Sequence, residues 1–424
     1  VILTPDLVKP VAIGALGCLS TVASNRRIAI YHDGLRTVVS EVEAGTKTRR
    51  ELAAYAYSIS MSFIVGAALP YALATGIIVI HMVCLGGDII GSRLRQSWLA
   101  GLAGFCYAAV MTVAVDLFVS ALHHLPPAAP DVHLLFLPLG YTFPLLAAVA
   151  AAAQFGPRWG AIAVAATLGT WWAAYEALRA LGVAQHGPYA SGIIALGVVS
   201  AALVVAAFRS GRSEGTDTSF FEPHIRRIQH NWMFLVPIAA LISALASQHW
   251  LAGEPAQAAL LNLHQAPAAA AIAFFSFAGF IPLQGMTGLV SGVWNQDGYP
   301  DWLLGAGYLI SNPVAAAAAG AGLMGAELLS LRAVGRLLTS RPGMTGLGNA
   351  MRDALDLLPN LAVLAGGVWA AIAVAGPPGA AVVVGAYYLN DVKGRPVTPL
   401  AVPVFAYLLV AVVSGLGLRL GVWG

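Results

Sequence analysis

Apolar residues in this chain come in long unbroken runs. Those at 7–23, 98–122, 134–155, 161–181, 189–208, 232–251 and 400–420 are each close to the length, about 20 residues, that crosses a bilayer as a helix. Other runs are interrupted. Residues 52–84 are apolar around Pro70, too long for one crossing and short for two, which predicts two cramped helices or a re-entrant hairpin. Residues 353–375 are broken by Pro359, and after Pro377-Pro378 the apolar arm 379–389 is too short to span and runs into Asn390, Asp391, Lys393 and Arg395. Between 268 and 292 the pattern loosens, and Asn295-Gln296-Asp297-Gly298 reads as a turn. Residues 315–331, rich in small side chains, predict a helix whose only charge is Glu327.

One segment has a different period. Apolar residues at 28, 31, 35, 38, 39 and 42 line one face of a helix, and Arg36, Glu41 and Glu43 fill other positions, so this helix is expected to lie along the membrane surface or to be an ordinary cytoplasmic loop helix. His32-Asp33-Gly34 reads as a turn within it. Nothing alternates at the two-residue period of a membrane barrel. The fold class is therefore an all-α polytopic membrane protein, with about ten to twelve transmembrane or re-entrant helices.

Composition agrees: 58% of residues are hydrophobic and 10% charged, against about a quarter charged in soluble domains. A net charge of +3 spread over loops gives no footprint for nucleic acid; the expected partners are the bilayer, a small-molecule substrate and a second copy in a homodimer. Basic residues at 26–50, 93–95, 157–158 and 209–227 place those loops in the cytoplasm, with 123–132, 182–188 and 252–266 outside. Asp6 and Lys9 in the first apolar segment argue against a cleavable leader. Cys18, Cys84 and Cys106 lack metal or redox spacing and read as small core residues. No metal or cofactor is expected beyond a coupling proton or sodium ion.

The two ends of the chain suggest a repeat. Arg50-Glu51 opens a broken apolar stretch reaching Asp88 and Gly91, and Arg352-Asp353 opens another reaching Asp391 and Gly394. The division expected is a first repeat at 1–122, middle helices at 123–300 with a cytoplasmic loop at 209–230, and a second repeat at 301–424. Repeated halves with interrupted helices are the usual construction of secondary transporters.

The chemistry then falls on the ends of the broken arms. Gly87, Asp88, Asn390, Asp391 and Arg395 are substrate-binding candidates, together with Ser311 and Asn312, where an N-cap before Pro313 points backbone N–H groups at anything bound. Glu327, with Asp88 and Asp391, is the candidate for ion coupling, because a carboxylate at membrane depth is costly unless it works. The competing readings are structural: interfacial turns for Asp88, Asp391 and Arg395, simple capping for Asn312, a buried ion pair for Glu327. For Asp116 and for Glu176, one turn before Arg179, the structural reading prevails. Trp171-Trp172 reads as packing or an interfacial anchor rather than a sugar platform, and His123-His124 has no further ligands close by. No nucleophile or metal cluster supports an enzyme.

These motifs together resemble the YhfT family of bacterial inner-membrane proteins: Tyr31-His32-Asp33-Gly34, Asp88-Ile89-Ile90-Gly91, Ser311-Asn312-Pro313, Ala326-Glu327-Leu328-Leu329 with Leu331-Arg332, and Tyr388-Leu389-Asn390 followed by an acid and Gly394-Arg395-Pro396. Tyr31 stands where Phe is expected and Asp391 where Glu is expected. The resemblance implies an inner-membrane transporter without an assigned substrate. The expected function is secondary-active transport of a small polar or anionic metabolite, elevator-like and coupled to protons or sodium. The alternative is the membrane permease of a phosphotransferase system, to whose ascorbate- and galactitol-type members the general layout is similar.

Overall fold

The structure is a computed structural model that describes residues 5–122, 137–182, 187–211, 221–295, 299–394, 397, 399 and 401–419. Helix α1 (Pro5–Asn25) leads to a two-residue strand β1 (Ala29–Ile30), α2 (Asp33–Glu43), α3 (Arg49–Phe63), a π turn at Ile64–Ala68, α4 (Leu69–Thr75), β2 (Ile78–Val79), α5 (Ile80–Arg93) and α6 (Ser97–Leu122). Next come α7 (Leu137–Thr142), α8 (Leu146–Phe155), α9 (Pro157–Ala180) and α10 (Gly187–Arg209). After α11 (Glu222–His230) follow α12 (Trp232–Ser247), β3 (Leu251–Ala252), α13 (Pro255–Asn262), α14 (Ala266–Ser291), β4 (Trp294–Asn295), α15 (Tyr299–Leu309), α16 (Pro313–Ser340), α17 (Pro342–Val392) and α18 (Ala401–Arg419). Among the described residues five helices are long and apolar enough to cross a membrane, six if α11 and α12, bent by 64°, count as one span. Many large apolar side chains point outward, as at Leu329 and Trp172, which suits a molecule whose surroundings are lipid. This is a multi-pass, all-α membrane protein.

The chain repeats itself, with a register that can be followed element by element. Helix α1 ends at Asn25 and α12 at Ser247, 222 residues later. The same interval separates two residues in the left-handed region, Arg27 and His249, the strands β1 and β3, and the first residues of α2 and α13, Asp33 and Pro255. Farther on the interval is 216: the left-handed glycines Gly76 and Gly292 that end α4 and α14, the strands β2 and β4, the ends of α5 and α15 at Arg93 and Leu309, and the starts of α6 and α16 at Ser97 and Pro313. The six-residue change has a visible origin. From Asp33 to Arg49 is 16 residues, whereas Pro255 to Ala266 is 11, and Arg49 to Gly76 is one residue longer than Ala266 to Gly292. The π turn absorbs that last residue, as such turns do when a residue is inserted into a helix.

Packing repeats as well. A Cβ on Gly91 would lie 2.7 Å from Thr21 O, and one on Gly307 2.5 Å from Ser243 O; on Gly104 it would meet Gly17 O at 2.6 Å, on Gly320 Ala239 O at 2.5 Å. Each pair of positions obeys the intervals above, so both α1 and α12 are gripped at the same two points by close backbone approach. The likeness extends to the remaining helices: α8 and the first part of α17 both break at a positive-φ glycine directly before proline, Gly156-Pro157 and Gly376-Pro377. The copies are thus 5–209 and 232–419, joined through α11.

The copies run in opposite directions. At one end of the molecule Lys9 bonds to Gly76 O and Asp116, and Asn262 bonds to Thr75 O. At the other end Arg227 bonds to Glu43 and to Arg27 O, and Asn25 to Gly91 O and Leu94 O. Helix α1 runs from the first end to the second. Helix α12 starts beside Arg227, through Asn231, and runs back, with Trp250 O meeting Ile78 N. The repeat is inverted, and the strands record its axis: β1 pairs with β4 and β2 with β3, both parallel, and exchanging the copies carries the register Ala29↔Trp294 onto Leu251↔Ile78.

Three expectations change. The repeat does not pair 1–122 with 301–424; the arm after Gly376 corresponds to α9 rather than to 52–93, the shared Pro break and Asp-x-x-Gly being a coincidence of membrane composition. Helix α2 is not a surface helix with Arg36 on its wet face, since Arg36 is buried. Cys106 is exposed, while Cys84 is in the core. Helix α3 begins with a complete capping box, in which Thr48 and Glu51 bond each other's backbone N–H. Those bonds hold the Glu51 carboxyl below the usual range.

Candidate functional site

A two-residue strand satisfies few backbone groups, so the residues beyond it need other partners. Each strand here runs within four residues into a helix, which brings the N-termini of α2, α5, α13 and α15 to the strand pairs. Their dipoles leave this region partially positive. Ala29, Ile30, Ile78, Val79, Leu251, Ala252 and Trp294 are all buried.

In the first copy the chain beyond β1 is held by Asp88 of α5. Its Oδ2 accepts from Tyr31 N at 3.0 Å and His32 N at 3.1 Å, with the Ser24 hydroxyl and the Arg36 guanidinium also acting on it. His32 caps α2, its Nδ1 accepting from Gly34 N at 3.0 Å. In the second copy the equivalent of Tyr31 is Gly253, and its N–H goes to Gln257 Oε1 at 3.0 Å. Gln257 Nε2 donates to Asp301 Oδ1 of α15 at 3.1 Å, and Tyr308 OH donates to Gln257 Oε1 at 2.9 Å. The Ser276 hydroxyl reaches Asp301 Oδ2 at 2.7 Å and also contacts Glu254. One acid from the helix after the second strand thus serves each copy, directly through Asp88 or by way of Gln257 from Asp301. His81 joins the halves: its ring meets Tyr31 edge-on at 5.1 Å and hydrogen-bonds to the Gly253 backbone.

The sequence candidates are dispersed over this architecture. Asp88 lies at its centre. Gly87 packs on Ser20 and Thr21 of α1, a position that needs a small residue. Asn312 caps α16, accepting from Val314 N and Ala315 N, and both it and Ser311 are exposed. Asn390 spends its amide on Val397, donating to its O at 2.7 Å and accepting from its N at 2.9 Å, while Asp391 is exposed. Arg395 and His123-His124 lie outside the described residues. Helix α5 packs on α1, α3 and α6, whereas α17 packs chiefly on α18, α8 and α14, so the two arms do not meet. Glu327 is buried on α16, its Oε1 accepting from Trp294 Nε1 at 2.5 Å. Asp116 pairs with Lys9 at 2.7 Å and Glu176 with Arg179 at 3.8 Å, the structural roles expected.

Sequence reading missed Arg36, His81, Gln257, Ser276 and Asp301. Two left a signal. Arg36 is three residues before Val39, on the flank of the apolar stripe, and Asp301 stands in the first turn of an otherwise apolar helix. Chemically the centre offers carboxylates, a guanidinium, imidazoles and phenols beside helix N-termini, a set suited to holding a small polar solute. Among the described residues no three His, Cys, Asp or Glu side chains are grouped to hold a metal.

Residues 9–423 match the YhfT family model, described as a protein of unknown function. The chain is 27% identical over 438 residues to "Uncharacterized protein YhfT" of Escherichia coli (strain K12), covering 98% of each. No solved structure matches it. With the family model spanning nearly its whole length, the chain belongs to the YhfT family.

Proposed function

We propose that this protein is a secondary-active transporter of a small polar or anionic metabolite in a bacterial inner membrane, its basic end facing the cytoplasm. The observation that carries this reading is the inverted repeat whose broken elements meet at two strand pairs, with Asp88, Arg36 and Asp301 buried around them. Inverted repeats supply two conformations related by exchanging the copies about a pseudo-two-fold axis in the membrane plane, and the site where interrupted segments meet opens to one side and then the other. Charged groups in such a place are retained for a solute or an ion.

The test is a thermal-shift screen of purified protein against sugars, organic acids, amino acids and phosphorylated metabolites, followed by uptake of each hit into proteoliposomes. A substrate raises apparent stability, because it binds only the folded form, and its uptake follows a proton or sodium gradient. Asp88→Asn and Asp301→Asn abolish both effects. Binding without gradient-driven uptake would refute the secondary-transport assignment and favour the phosphotransferase permease.

A further inference from the structure

Comparison of the two copies singles out one polar contact that the fold does not require. Glu327 of α16 is equivalent to Met111 of α6, and Trp294 of β4 to Ile78 of β2, at the interval of 216 residues. The first copy has Met and Ile at these two positions. The second buries a carboxyl there, at 4% exposure, with a hydrogen bond from Trp294 Nε1; among the described residues Glu327 Oε2 has no partner. A buried acid with one unmet oxygen is destabilising, and its sister position shows that apolar packing would serve.

Among the described residues no counter-charge pairs with Glu327. Helices α12 and α14, packed on α16, carry no ionisable side chain. From α11 come Glu222, His224, Arg226, Arg227 and His230. Of these, Glu222 pairs with Arg226 and Arg332, Arg227 with Glu43, and His224 with Leu289 O. Asp301 of α15 is bound to Gln257 and Ser276. The charged residues of α17 are Arg352, Asp353, Asp356 and Asp391, nine or more residues beyond Gly343, which packs on Ala207 of α10. Arg332, exposed at the basic end, is five residues beyond Glu327, about 7.5 Å along the helix, so water at that end is close.

Trp294 is the mechanical connection. Its backbone N bonds to Ile28 O at 3.0 Å and it pairs with Ala29. Two residues past Ala29 begin the N–H groups that Asp88 holds. We propose that Glu327 is an exchangeable proton site, and that Trp294 is a positioning residue coupling its charge to the β1–β4 pair and through it to Asp88. A hydronium ion in the water at the basic end gives its proton to Oε2: the O–H bond to Oε2 forms as one hydronium O–H bond breaks, leaving a neutral water molecule. As a carboxylate, Glu327 accepts a charge-assisted bond from the indole and pins β4 to α16; once neutral it accepts a weaker one, and the strand pair is freed to move. This gives the coupling ion for the transport reading, on which its biological meaning rests.

The experiment uses the full chain in lipid nanodiscs, titrated from acid to alkaline pH at fixed sodium. Difference infrared spectra are expected to show loss of one protonated-carboxyl band that is absent from Glu327→Gln. Trp294 emission, isolated by subtracting Trp294→Phe from wild type, is expected to shift with the same midpoint, and the shift to vanish in Glu327→Gln. Should Glu327→Gln fold poorly, Glu327→Met reproduces the packing of the sister copy and is read in the same way. An infrared band unchanged in both variants, pH-independent Trp294 emission, or signals that follow sodium instead of pH would each overturn the proposal. An intact Glu327 band with no uptake of any screened solute would leave the proton site standing and sink the transport reading.

Discussion

The two copies share a backbone and differ in chemistry. Residues 10–25 of the first, set against 232–247 of the second, share one identical residue, Leu19 and Leu241; residues 80–93 set against 296–309 share only Gly91 and Gly307. Yet strands, left-handed turns and close helix contacts coincide. What the fold demands is small residues at the crossings of α1 with α5 and α6, and a hydrogen-bond partner for the chain beyond the first strand. What it leaves open is the rest. Into that freedom the first copy puts Arg36, His32 and His81 beside its acid Asp88, and the second Glu254, Gln257, Asp301 and Glu327, so that among these residues the guanidinium and the imidazoles all lie in the first half.

Substitution at the shared positions gives the largest effects, and they should be equal in the two copies. Gly104→Val and Gly320→Val each push a side chain into a backbone carbonyl, of Gly17 and of Ala239. A loss of about 3 kcal/mol or more is expected from such overpacking, read as loss of the monodisperse peak in detergent gel filtration. Gly322, which has nothing within 4 Å, is the control, and Gly322→Val should behave as wild type. Unequal losses at Gly104 and Gly320 would break the equivalence.

Next come the acids that hold the chain beyond each strand. Asp88→Leu, which installs the residue of the sister position Leu304, strands two buried N–H groups, at about 1–3 kcal/mol each. Asp88→Asn retains an acceptor and should lose less than half as much in apparent melting temperature. Smaller still is Asn312→Ala, about 1 kcal/mol for a lost cap, without change in ligand binding. Glu327→Met should leave stability unchanged or raised, as when buried ionic groups give way to apolar ones of similar volume, while abolishing the pH response. The smallest effect is expected at the exposed Asp391, where Asp391→Asn should alter neither melting nor uptake.

The place of Asp391 shows why part of the site was illegible. In the sequence it ends an apolar arm as Asp88 ends another, and nothing local separates them. In the structure residues 377–392 form a helix that leaves Tyr388 and Leu389 exposed, whereas α5 is buried among α1, α3 and α6. Burial depends on which helices surround a segment, which its own residues do not state. Asn312 was legible because a cap is a local matter, set by a side chain and the N–H groups two and three residues on. Arg36 was misread for the opposite reason: an amphipathic period says which face is apolar, but a charge at the flank of that face is exposed or buried according to what packs there.

By itself the sequence determined that the chain lives in lipid, that it is helical, where most apolar runs begin and end, and that it resembles the YhfT family. These follow from the lengths of apolar runs and the scarcity of charge, which act residue by residue. The inverted repeat, the crossed strand pairs and the company of Asp88 and Glu327 were decided by tertiary structure. Two copies can keep one backbone with almost no common residues, because their similarity lies in hydrogen-bond register and in contact between helices that are distant in sequence, and neither is written in any single stretch of the chain.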